Sequence, residues 1–161
     1  MILPCSPCSR TVSIAVKAMA EVLAVCISTE KGTVKHPVPE VLLEQEHGIR
    51  GDAHAGPWHR QISLLAQESV DKLPLKDIPV GAFAENILTR GIILHTLPVG
   101  TRLQIGNTLL EITQIGKECH ADCEIRRKTG DCVMPREGVF ARVLRGGIVR
   151  SGDEICCLSP A

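Results

Sequence analysis

The chain is 161 residues long, and its 18 Lys and Arg balance 18 Asp and Glu, so no overall field draws in nucleic acid or an anionic membrane. A hydrophobic fraction of 44% against 22% charged residues describes one globular domain able to bury a core. With one Trp, two Phe and no Tyr, the core must be aliphatic, and the stacking platforms that single-stranded nucleic acid needs are nearly absent.

In chain order, residues 1–18 read as a flexible N-terminal extension and residues 19–161 as the domain. The first residues lack a basic leader region, and the apolar run there is broken by Pro4, Pro7, Arg10, Lys17 and then Glu21. No stretch approaches the ~18 apolar residues of a membrane span. A cytoplasmic protein with no membrane and no nucleic-acid partner is the expectation. The eight cysteines are unevenly spaced, and the adjacent Cys156 and Cys157 would point to opposite faces of a strand, so reduced thiols are expected rather than a disulfide framework.

Glu21 to Ser28 reads as a buried strand, Thr29 to Pro39 as a polar loop, and Val41 to Leu43 as a short strand. From His47 to Arg60, glycines at 48, 51 and 56 punctuate an acid, three histidines and two arginines after position 47 is counted. Loops of that composition are where rigid scaffolds carry chemistry. Gln61 to Leu65 reads as a strand, Ala66 to Leu73 as a short helix stopped by Pro74, and Gly81 to Thr89 as an apolar run that holds Glu85 and Asn86. A polar pair in such a run is either functional or ties a loop to the scaffold. Leu97 to Gly100 is a turn. Arg102–Ile105 and Thr108–Ile115 around Gly106-Asn107 form a hairpin, and strands follow at Gly138–Leu144, Ile148–Val149 and Glu154–Leu158. Short strands between glycine turns predict a mainly β fold, a barrel or sandwich with a few short helices.

Between the hairpin and the next strand lies Gly116-Lys117-Glu118-Cys119-His120-Ala121-Asp122-Cys123, with Cys132 further on. Lys117, His120 and Arg126-Arg127-Lys128 supply positive charge of the kind that raises the thiolate fraction. Cys119 can be a single reactive thiolate that ligates a metal cofactor or carries sulfur as a persulfide. Alternatively Cys119, His120, Cys123 and Cys132 form a zinc site, in a spacing outside the common zinc patterns. Burial as small hydrophobes is fair for Cys123 and Cys132, and is the best reading of Cys26, Cys156 and Cys157.

Taken in order, several pieces resemble the MOSC domain, the module named after the C-terminal part of molybdenum cofactor sulfurase. They are Gly48-Ile49-Arg50-Gly51-Asp52-Ala53-His54-Ala55-Gly56 with Arg60, Phe83-Ala84-Glu85-Asn86-Ile87, Leu97-Pro98-Val99-Gly100, Leu103-Gln104-Ile105-Gly106, Cys119, and Gly147 to Gly152-Asp153. The resemblance implies a MOSC-type β-barrel whose signature cysteine, here Cys119, binds the molybdenum of a molybdopterin cofactor or carries sulfur. It also implies partners among cofactor-biosynthesis enzymes or a sulfur donor, and a family-level association with pyridoxal phosphate. Reduction of N-hydroxylated substrates is the enzymatic alternative and would require a separate electron-transfer partner. A zinc-stabilised binding module is the non-enzymatic alternative. Arg60 and Arg142 are candidates to pair the pterin phosphate, since the guanidinium fork suits phosphate oxygens. Gly51 and Gly56 would let backbone N–H groups approach it, while Asp52, His54, Glu85 and Asn86 are candidates to fix the pterin or the loop. Glu118 stands where many family members have proline, and Cys123 and Cys132 fall outside the general signature.

Overall fold

The protein is described from a computed structural model covering residues 20–118 and 132–158. The strands are β1 (Ala20–Ile27), β2 (His36–Val38), β3 (Glu40–Glu44), β4 (Gly48–Ile49), β5 (Ile62–Ala66), β6 (Ile87–Arg90), β7 (Arg102–Ile105), β8 (Thr108–Ile115), β9 (Val139–Arg145), β10 (Gly147–Arg150) and β11 (Glu154–Leu158). Two single-turn helices, α1 (Gln67–Val70) and α2 (Met134–Glu137), and a 3-10 turn at Leu94–Thr96 complete the described elements.

Seven strands close into a barrel in the order β11-β7-β8-β9-β5-β6-β1, and β1 returns to β11 through Ala20–Ile155 and Glu21–Glu154. The β5–β6 pair is parallel, while the other barrel pairs are antiparallel. β2 extends the sheet outward from β1, and β10, β3 and β4 form a separate three-stranded sheet. Closure removes the open edges that would invite aggregation.

The pattern of each strand explains its place. In β7 and β8 the buried residues alternate, with Leu103, Ile105, Thr108, Leu110 and Ile112 inward. β5 is buried along its whole length because it is covered on both faces. Its neighbours Leu64 and Leu65 point to opposite sides, Leu64 into the aliphatic barrel core and Leu65 into a second cluster with Phe83, Leu88, Met134 and Phe140.

The expected mainly β barrel with a few short helices is the fold found. Three local differences matter. The polar loop expected over residues 29–39 contains β2, which pairs Pro37 with Cys26 and Val38 with Val25. The helix expected over residues 66–73 is regular only from Gln67 to Val70. The cysteines of β11 depart from the expected reduced state: Cys156 and Cys157 are disulfide-bonded. Among the described residues no helix is long and apolar enough to cross a membrane.

Candidate functional site

The loop from residue 50 to residue 60 leaves β4 and folds back over the segment joining β1 to β2. The two meet in a buried polar network. Lys35 is 1% exposed, and its side chain is fully enclosed together with that of Asp52. The Lys35 ammonium donates to Asp52 Oδ1 at 2.8 Å and to Ser28 Oγ at 3.0 Å, and it lies 3.0 Å from His54 Nδ1. Asp52 Oδ1 also accepts the Ser28 N–H at 3.1 Å, and Oδ2 accepts the His54 N–H at 3.0 Å. A buried carboxylate and a buried ammonium each need such partners, because neither can be left alone in the interior.

This network sets the electrostatics of His54. Burial and the Lys35 charge push the imidazole down to about 4, against the pull of Asp52, with Lys117 and Lys31 adding to the depression. His54 is therefore neutral throughout the physiological range. Burial likewise lowers Lys35 from the usual lysine value, opposed by its bond to Asp52.

Around His54 the loop assembles cations on one indole. Trp58 donates its Nε1–H to the His54 carbonyl at 2.7 Å. The Arg60 guanidinium lies 4.7 Å from the Trp58 ring centroid and the Lys31 ammonium 5.4 Å from it, both within cation–π range. Arg60 also lies 5.6 Å from Phe140, and its Nε is buried with no hydrogen-bond partner. Among the described residues, no carboxylate pairs with Lys31, Arg60 or Lys117. Among the described residues the arrangement is a local positive patch without an ion-pair partner, with Arg60 half-buried and Lys31 exposed, on a chain of zero net charge.

The residues singled out from the sequence divide into groups. Asp52, His54 and Arg60 come together in this loop. Gly51, with φ +84°, supplies the turn that directs Asp52 inward, and a Cβ there would meet nothing within 4 Å. Glu85 and Asn86 lie behind the network, fully buried. Glu85 accepts the Gly81 and Phe83 N–H groups at 2.6 and 3.0 Å, and burial raises its carboxyl. Asn86 donates to the Cys26 carbonyl at 3.0 Å and accepts the Ser63 N–H at 3.0 Å, which sews β1 to β5. Arg142 stands elsewhere, on β9. It pairs with Glu111 at 3.0 Å and approaches Glu46 at 3.8 Å. That ion pair lines a cleft of about 450 Å³ with Trp58, His59, Val99 and Thr113. Cys132 is buried in the second hydrophobic cluster, and Cys119, His120 and Cys123 lie outside the described residues. Among the described residues no cluster of His, Cys, Asp and Glu could hold a metal ion.

Lys35, Lys31 and Trp58 were not legible as site residues. Lys35 carries no local signal, since it sits in a polar segment and only the closure of the loop after β4 buries it.

A family model described as the MOSC domain matches residues 51–156. Solved structures share the fold. The YuaD protein from Bacillus subtilis superposes with a TM-score of 0.74 at 21% identity, over 86% of this chain and 95% of that one. YiiM from Geobacillus stearothermophilus gives 0.65 at 16% identity, over 87% and 75%. YiiM from Escherichia coli gives 0.61 at 18%, over 88% and 69%. No curated protein matches the chain.

Proposed function

The chain belongs to the MOSC domain family, and on that premise we propose that it handles the molybdenum cofactor, holding molybdopterin or passing sulfur to it through Cys119. The family as a whole is associated with molybdenum-cofactor binding and sulfurase-related function.

The observation that carries the reading is the patch of Lys31 and Arg60 on Trp58, which no carboxylate among the described residues neutralises. A pterin phosphate needs cations that are not already neutralised, and a buried Arg60 Nε without a partner is a donor suited to such an acceptor. These residues fit the group. When bound, molybdenum would supply the redox and atom-transfer chemistry. Arg60 and Lys31 would hold the phosphate, and His54 would offer a neutral hydrogen bond. Cys119, three residues after Gly116 at the end of β8, would supply the thiolate. Arg142 drops out as a phosphate ligand in this reading, because Glu111 already neutralises it. Cofactor-biosynthesis enzymes or a sulfur donor are the partners the reading calls for.

The test is elemental analysis for Mo and Zn on protein purified without chelator from cells that make the pterin cofactor. The expected result is Mo near one per chain, lost in Cys119→Ser and reduced about tenfold in Arg60→Ala, the scale of one charge-assisted contact. Mo retained in Cys119→Ser rules out the ligand role. Zn in place of Mo would shift the assignment to Cys119, His120, Cys123 and Cys132.

A further inference from the structure

We propose that Lys35 is a positioning residue that locks His54 in the Nε2–H tautomer, so that His54 meets any ligand only as a neutral hydrogen-bond donor, suited to an oxyanion. An ammonium has three protons and no lone pair, so each of its contacts must be with an acceptor. Two of the three are fixed: Asp52 Oδ1 at 2.8 Å and Ser28 Oγ at 3.0 Å. Ser28 is free to accept because its own hydroxyl proton goes to the Glu30 carbonyl at 3.0 Å. The third contact, 3.0 Å to His54 Nδ1, therefore requires the Nδ1 lone pair. In a neutral imidazole the one remaining proton is then on Nε2.

Lys35 must be an ammonium for this to hold, and Asp52 supplies the reason. Its side chain is as enclosed as that of Lys35, and they form a direct ion pair at 2.8 Å. The backbone fixes the remaining freedom of the ring. The His54 N–H is tied to Asp52 Oδ2 at 3.0 Å, and its carbonyl is tied to Trp58 Nε1 at 2.7 Å. The histidine side chain is 24% exposed, so part of the ring is reachable from solvent. The charged groups that act on the ring are Lys35, Asp52, Lys117 and Lys31. Three of them are cations that oppose a second ring proton, so His54 is not a general acid or base at neutral pH. It resembles instead the donors that line anion sites, fixed before the ligand arrives.

The lock is independent of the cofactor. Only the identity of the oxyanion rests on the cofactor reading above. The experiment is NMR of the full chain with ¹⁵N-labelled histidine, from pH 5.5 to 8, in the wild type and in Lys35→Met. In the wild type, His54 should carry its proton on Nε2 at every pH, with Nδ1 unprotonated. In Lys35→Met the ring should become a tautomer mixture and titrate inside that window. A wild-type ring protonated on Nδ1, or one that charges within the window, overturns the proposal without any variant, so a Lys35→Met protein that fails to fold does not protect it. A folded Lys35→Met with the wild-type tautomer overturns it as well. Inorganic phosphate, added to the wild type as the probe, should move Nε2 and not Nδ1. No movement at either nitrogen overturns the oxyanion assignment. Loss of Mo from Cys119→Ser bears on the cofactor reading alone.

Discussion

His54 carries a stability signature as well as a binding role. In the unfolded chain its imidazole charges near the ordinary value of 6.5, whereas in the folded protein it resists protonation down to about 4. Between those values the unfolded state binds the extra proton. The folded state is therefore at full stability above pH 6.5 and loses it as pH falls toward 4. The loss amounts to ~1.4 kcal/mol per pH unit at most, roughly 3 kcal/mol in total. Burial raises Glu85 and acts in the opposite direction, so the comparison must be between variants. His54→Gln should show a shallower fall in urea midpoint between pH 6.5 and 4.5 than the wild type. Parallel curves for the two proteins would mean that the imidazole is not held neutral. His54, Asp52 and Arg60 could be picked from the sequence because they sit among glycines in one short window. Lys35 could not, because a lone lysine in a polar segment reads as solvated, and only the fold shows that the loop after β4 closes over it. Arg142 failed in the converse way. Its partner Glu111 lies opposite on the neighbouring strand β8, and cross-strand pairing depends on register, which no local window of sequence contains.

The segment Gly81 to Asn86 is the element that holds the Lys35 chain in place. The Lys35 N–H donates to the Gly81 carbonyl at 2.9 Å, while the Gly81 N–H is held by the Glu85 carboxylate at 2.6 Å. A Cβ on Gly81 would lie 2.0 Å from the Lys35 carbonyl oxygen, and the φ of +87° already disfavours a side chain. Gly81→Ala must therefore displace backbone as well as strain it, at a cost of about 3 kcal/mol or more. Gly51→Ala separates those two effects. Its φ of +84° is equally unfavourable, but nothing lies within 4 Å of the new methyl, so the cost should stay near ~1 kcal/mol. Urea midpoints for the two variants give the comparison; equal losses would mean that the contact with Lys35 is not tight. Asn86→Ala should cost about 2–4 kcal/mol, since it strands the Ser63 N–H and the Cys26 carbonyl in the interior. A loss under about 0.5 kcal/mol would show that those groups find other partners. At this scale the β7–β8 hairpin was fully legible, because alternation and Gly106-Asn107 agree. β2 was not, since its proline-rich residues form a strand only by virtue of the β1 edge they lie against. α2 escaped for a similar reason: four residues carry no helical period, and what places them is Met134 in the core.

For the whole molecule, the decisive feature is that the sheet closes on itself. β1 pairs with β6 on one side and with β11 and β2 on the other, so it cannot be uncovered by peeling a single edge. Cys26 sits in that strand with no exposed surface, and its N–H is bonded to the Asn86 carbonyl at 2.7 Å. Burial pushes its thiol up to about 12, with Glu85 adding to the rise and Lys35 opposing it. Alkylation requires both access and ionisation, and the folded barrel denies both. Reaction of Cys26 with iodoacetamide at pH 8 should therefore be confined to unfolded molecules. Followed peptide by peptide by mass spectrometry, its rate should rise with urea along the same slope as global unfolding. It should also be faster in Gly81→Ala in water by the factor that the lost stability implies, on the order of 100-fold for 3 kcal/mol. Burial in the barrel gives these expectations whatever the site binds. A rate that ignores urea at low concentration would mean that β1 opens locally, and that the seam between β1 and β11, rather than the barrel as a unit, governs access to the interior.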